Sequence, residues 1–162
     1  MVDRSSEPSP WVLLTYRLPR EPSAPRLALW RKLRRLGVAQ LSDGLVALPA
    51  DARTREQLEW AAEDVMEAGG TAGVWLARPA TRALEREVAT SMNRARAEEY
   101  AEIADQATKD STADQMAVVR RLRAQLRRVE RRDYFRPQER ERARLALRDL
   151  AHAATAQQEV RR

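Results

Sequence analysis

Apolar and polar positions follow two rhythms along this chain. Residues 11–18, WVLLTYRL, form a compact apolar run closed by Pro19, the pattern of a buried strand. Ser23 is placed to cap a helix with Pro25 in its first turn, and the helix runs through LALWRKLRRL to a stop at Gly37. Leu29, Leu33 and Leu36 mark its apolar face, with Leu27 and Trp30 beside it. VAQL and LVALP flank Ser42-Asp43-Gly44, a turn signal, and predict a hairpin. Thr54-x-x-Gln57 has capping-box form and opens a second helix, with Leu58, Ala62 and Val65 inward and Gly69-Gly70 at its end. Residues 71–77, TAGVWLA, read as a last strand before Pro79. The order is β-α-β-β-α-β, which predicts an α+β, ferredoxin-like sheet with two helices on one face.

Beyond residue 80 the rhythm is helical throughout and predicts three helices. Thr81 can cap the first, which carries Leu84, Val88, Met92, Tyr100 and Ile103. Residues 109–112 break it, and Thr112-x-x-Gln115 is set to cap the second. There Val119, Leu122, Leu126 and Val129 make a coiled-coil-like seam. Pro137 starts the third, with Ala143, Leu147, Leu150 and Ala154 in line. Such narrow stripes suit packing within the chain or against a second copy, and a homodimer is the expectation. The domain reading is a disordered polar tail over 1–10, a sheet domain over 11–80 and a basic helical extension over 81–162.

Composition narrows the chemistry. The 162 residues contain no Cys and one His, His152, which argues against thiolate or multi-histidine metal sites and most histidine-based catalysis. No glycine-rich phosphate loop, GxSxG elbow or Ser/His/Asp set is present. The chain is therefore expected to be no enzyme and to need no cofactor or metal. No apolar run is long enough to span a membrane, and the first ten residues lack a signal pattern, so a cytoplasmic address is expected. The four Trp (Trp11, Trp30, Trp60, Trp75) are expected mostly in the core or an interface, with Trp60 out of phase with its helix's apolar face.

Charge points to a partner. The formal net charge is +6, and only Lys32 and Lys109 among the 30 basic residues are not Arg. A GC-rich genome can favour Arg over Lys, but that sets neither the net charge nor its placement. One cluster is Arg26, Arg31, Lys32, Arg34 and Arg35, with no acid between Glu21 and Asp43. The other is Arg120, Arg121, Arg123, Arg127, Arg128, Arg131 and Arg132, with Glu130 the only acid among them. Unneutralised arginine on a helix suits DNA phosphates. For the second cluster the competing reading is internal pairing with Glu98, Glu99, Glu102 and Asp105. A third, smaller group, Arg17, Arg20 and Arg26, flanks the first strand–helix loop and is the candidate site for a tetrahedral oxyanion.

The segment YRLPREPSAPR…WRKLRRLG, with SDGLVALP, TREQLEW and the later RRDYF, resembles the N-terminal domain of the chromate-resistance regulators called ChrB. The resemblance runs from Trp11 to about Leu150. It implies a bacterial transcriptional regulator that binds promoter DNA and responds to chromate, with a sheet related to PaaX-type repressors and CRISPR adaptation nucleases. Those nucleases hold metal with an Asp at the end of the first strand. Here that stretch reads Thr15-Tyr16-Arg17-Leu18. ChrB regulators usually continue into a C-terminal domain associated with chromate response, so sensing is expected to belong to such a domain. An oxyanion-sensing or protein-interaction module without DNA binding of its own is the alternative.

Overall fold

In the computed structural model, which describes residues 7–109 and 114–160, β1 (Trp11–Arg17) is an inner strand of a four-stranded antiparallel sheet. Its period-two alternation sends Val12 and Leu14 to one face, where both are fully buried, and Trp11, Leu13 and Thr15 to the other. Leu14 lies opposite Val46 on one neighbour and Val74 on the other. The partners are β3 (Leu45–Pro49) and β4 (Thr71–Ala77), and β2 (Ala39–Ser42) completes the order β2-β3-β1-β4. The hairpin turns at Asp43-Gly44. Gly44 has φ +72°, and a Cβ there would lie 2.5 Å from the Tyr16 carbonyl oxygen, so only glycine fits.

Helix α1 (Ala24–Leu36) follows β1. Ser23 occupies its N-cap, but the side chain makes no capping hydrogen bond. Gly37, at φ 73°, ends the helix by donating its N–H to the Leu33 and Arg34 carbonyls. Helix α2 (Ala52–Glu67) corrects the expected cap: Asp51, not Thr54, is the N-cap. The Asp51 carboxylate accepts from Thr54 N at 2.7 Å, while Asp51 N donates to Thr54 Oγ1 at 2.9 Å. The Thr54 hydroxyl also donates to the Pro49 carbonyl at 2.6 Å, which is why this threonine is wholly buried. Helix α2 packs across β1 and β4, α1 packs beside it, and Lys32 Nζ meets Asp64 Oδ2 at 2.6 Å between them.

Three further helices follow: α3 (Arg82–Lys109), α4 (Gln115–Glu130) and α5 (Glu139–Val160). Thr81 caps α3 as expected, its hydroxyl accepting from Leu84 N at 3.1 Å. Thr112 lies outside the described residues, and the N-cap of α4 is Asp114, whose carboxylate accepts from Ala117 N at 3.0 Å. The chain divides into two compact units that meet inside α3, Met1–Met92 and Asn93–Arg162, while residue 80 marks the end of the strand-forming part. Of the tail expected over 1–10, residues 1–6 lie outside the described residues. Residues 8–10 are tied down: Pro8 O accepts from Arg78, Ser9 N donates to Glu85 Oε1 and Pro10 O accepts from Ala50 N.

Within the first unit, Leu84 and Val88 join Trp11, Leu13 and Ala47 around an apolar cavity of about 560 Å3 on the sheet face opposite Val12 and Leu14. Within the second unit, Val119 and Leu122 pack with Leu147, Leu150 and Ala154, and Val129 with Tyr100, Ile103 and Ala143. The seam expected to serve a second copy is thus filled by the chain's own helices.

Candidate nucleic-acid interface

Helix α1 turns Leu29 and Leu33 inward, so its phase fixes what faces solvent. Leu27, Trp30, Arg31 and Arg34 share the exposed side, with Arg35 and Arg26 at its edges. The Arg34 guanidinium lies 4.8 Å from the centre of the Trp30 ring, a cation–π arrangement that holds both side chains outward. Lys32 differs from the rest of its cluster: Asp64 neutralises it, and it is only partly exposed. Among the described residues no carboxylate pairs with Arg26, Arg31, Arg34 or Arg35.

Helix α4 sorts its residues in the same way. Val118, Val119, Leu122 and Val129 are buried, and the outward surface carries Arg120, Arg121, Arg123, Arg127, Arg128 and Arg131. Among the described residues, the alternative of internal neutralisation holds for Arg132. Arg132 pairs with Glu99, which Arg96 also meets at 2.7 Å. Arg121 reaches Gln106 Oε1 at 3.3 Å. Glu102 accepts from Gln106 on its own helix instead of meeting α4. Glu130, the acid inside the cluster, serves Arg144 at 2.7 Å and Arg140 at 3.5 Å. Arg120, Arg123, Arg127, Arg128 and Arg131 have no carboxylate partner among the described residues.

The RRDYF stretch turns the chain from α4 into α5. Asp133 accepts Tyr100 Oη–H at 2.8 Å on Oδ2, and Phe135 N at 3.2 Å and Arg136 N at 2.8 Å on Oδ1. Burial, then the Asp133 hydrogen bond and charge, push the Tyr100 phenol well above its ordinary value. Burial lowers the Arg96 guanidinium, with Glu99 opposing it.

The oxyanion group is brought together in part. Arg17 and Arg26 line one cavity of about 790 Å3 between α1, the end of β1 and the β2–β3 turn, while Arg20 does not line it. Of the four tryptophans expected in the core or an interface, one is in the core of this chain. Trp11 is buried at 4% exposure, but Trp30, Trp60 and Trp75 are 52%, 51% and 58% exposed. Trp60 follows its phase, and Trp75 sits on the edge strand β4, where its indole N–H donates to Thr15 Oγ1 at 3.0 Å. The legible signal for Trp30 was its spacing of four from both Arg26 and Arg34. Among the described residues no group of three His, Asp or Glu side chains could hold a metal ion. No described helix is long and apolar enough to cross a membrane.

The family model described as "Protein ChrB, N-terminal" matches residues 26–118, more than half of the chain. The chain belongs to the ChrB N-terminal family. No curated protein and no solved structure matches it. The ChrB match is narrower than the resemblance read from the sequence. It begins at Arg26, so β1 with Arg17 and Arg20 precedes it, and it ends at Val118, before the arginines of α4. The α1 cluster therefore lies within the ChrB-matched region, and the α4 cluster lies outside it.

Proposed function

We propose that this ChrB-family chain is a DNA-binding transcriptional regulator of chromate-resistance genes in the bacterial cytoplasm. It binds rather than catalyses. The observation that carries the reading is the set of exposed arginines on α1 (Arg26, Arg31, Arg34, Arg35) and α4 (Arg120, Arg123, Arg127, Arg128, Arg131) that have no carboxylate partner among the described residues, beside family membership. Guanidinium groups on one helix face suit phosphate oxygens, and such contacts position a duplex without specifying its sequence. The sheet unit fits the ferredoxin-like class, supported by its β-α-β-β-α-β chain order and its strand order β4-β1-β3-β2. A second reading, direct binding of chromate, is favoured by Arg17 and Arg26 lining one cavity.

Replacing Arg120, Arg123, Arg127 and Arg131 together by Gln tests the DNA reading. Affinity should fall similarly on unrelated duplexes, and the slope of log K against log salt should flatten by about 0.9 for each phosphate no longer neutralised. Fluorescence titrations at several salt concentrations measure it. An unchanged slope would remove α4 from the interface.

A further inference from the structure

The two arginine-bearing helices differ in what stands between their arginines. Along α4 no large apolar side chain is exposed. Along α1, Leu27 is 47% and Trp30 52% exposed, on the same side as Arg31 and Arg34. Arg26 and Arg34 stand one turn before and one turn after Trp30, about 12 Å apart along the axis at 1.5 Å per residue. The Arg34 guanidinium against the Trp30 ring holds the indole and puts positive charge beside it.

An exposed indole and leucine add little to duplex binding. A duplex keeps its base faces stacked inside and presents phosphates and sugars along its backbone. Arginines alone serve that surface, as on α4. A single strand is different. Every unpaired base offers a π-face, and an aromatic side chain set among cations is the surface that takes it. Trp30 also borders the cavity of about 790 Å3, with Arg17 and Arg26 on its wall, so a base beside the ring has space and cationic surroundings. The outward face of α1 carries no hydroxyl or amide side chain to read a 2′-hydroxyl, the group that marks RNA. DNA is therefore the better fit.

We propose that the α1 face binds an unpaired segment of a DNA strand, with a base stacked on Trp30 and phosphates on Arg26, Arg31 and Arg34. The proposal rests on the DNA reading above for its partner and deepens it: α4 suits duplex backbone, and α1 suits unpaired bases. It uses none of the α4 arginines.

Four ligands test it on the intact chain: oligothymidine, the same strand without its bases, oligouridine and a blunt duplex. Anisotropy of the labelled strands and tryptophan fluorescence read the binding. Trp30→Ala should weaken oligothymidine binding about ten-fold and leave the duplex within about two-fold. The salt slope for oligothymidine should stay the same, because stacking releases no counterion. Trp30→Phe keeps an aromatic face and should recover most of the affinity, while quenching of tryptophan fluorescence by oligothymidine should disappear. The baseless strand should bind the unaltered chain about as weakly as oligothymidine binds Trp30→Ala. Trp30 is half exposed, so the melting temperature should hold in both variants. Quadruple replacement in α4 should lower duplex affinity and leave the Trp30→Ala effect on oligothymidine at full size, so failure of the duplex reading and failure of this proposal are seen on separate ligands. Equal losses on oligothymidine and duplex in Trp30→Ala would overturn the proposal. So would a baseless strand bound as tightly as oligothymidine, oligouridine bound more tightly than oligothymidine, or no binding of single strands.

Discussion

Asp133 gathers three donors on one carboxylate: a buried phenol and two backbone N–H groups of the turn it anchors. That arrangement makes it a structural residue, and it accounts for the RRDYF stretch without a ligand. Asp133→Ala leaves the Tyr100 hydroxyl and both N–H groups to find water, at a cost of about 1–3 kcal/mol, measured by urea unfolding. Tyr100→Phe removes only one donor and should cost less. The phenol carries a pH dependence whose sign follows from its raised value. Folding favours the neutral form, so the stabilisation is complete below the ordinary value of 10.0 and is lost as pH rises beyond it. Absorbance at 295 nm should accordingly show Tyr100 ionising only as the chain unfolds. Ionisation of Tyr100 near pH 10 while the fold persists would contradict the burial argument. None of this is legible in the sequence. RRDYF can be matched to a family, but a partner 33 residues away on α3 leaves no trace in local spacing.

At the scale of elements the chain is far more legible, because helix and strand periods are local. The apolar run at 11–18, the Gly37 stop, the Asp43-Gly44 turn and the TAGVWLA strand all appear within a residue or two of their expected places. The misplaced cap of α2 has a simple cause. Asp51 and Thr54 are both good capping residues three apart, and the choice is made by Pro49, whose carbonyl takes the Thr54 hydroxyl. The α4 seam is visible as a stripe, but what covers it is not, since facing helices are chosen by tertiary packing. Leu122, wholly buried against α5 residues, and Arg127, on the side of α4 away from that core, give a contrast within one helix. Leu122→Ala should cost about 2–5 kcal/mol. Arg127→Ala should change stability by no more than about 0.5 kcal/mol. Chemical denaturation of both variants checks the division, and a comparable destabilisation in both would contradict it.

For the whole molecule, the placement of charge matters more than its total. The two arginine groups sit in different compact units, α1 in the first and α4 in the second. The sequence displays both clusters but does not tell which charges stay free. Lys32 and Arg132 are taken up by Asp64 and Glu99 because those acids arrive from other helices. If both units touch one duplex, their phosphate contacts contribute independently to counterion release. Replacing Arg31, Arg34 and Arg35 by Gln should then flatten the salt slope by up to about 2.7, at 0.9 for each phosphate, and this change should add to that of the α4 variant. Lys32→Gln should flatten it far less, since its charge is already paired at 2.6 Å. Titrations of the α1, α4 and combined variants over one salt series decide the matter. Additive slopes assign the interface to both units. A full effect from α4 with none from α1 would confine DNA contact to the second unit and leave the α1 surface to a different partner.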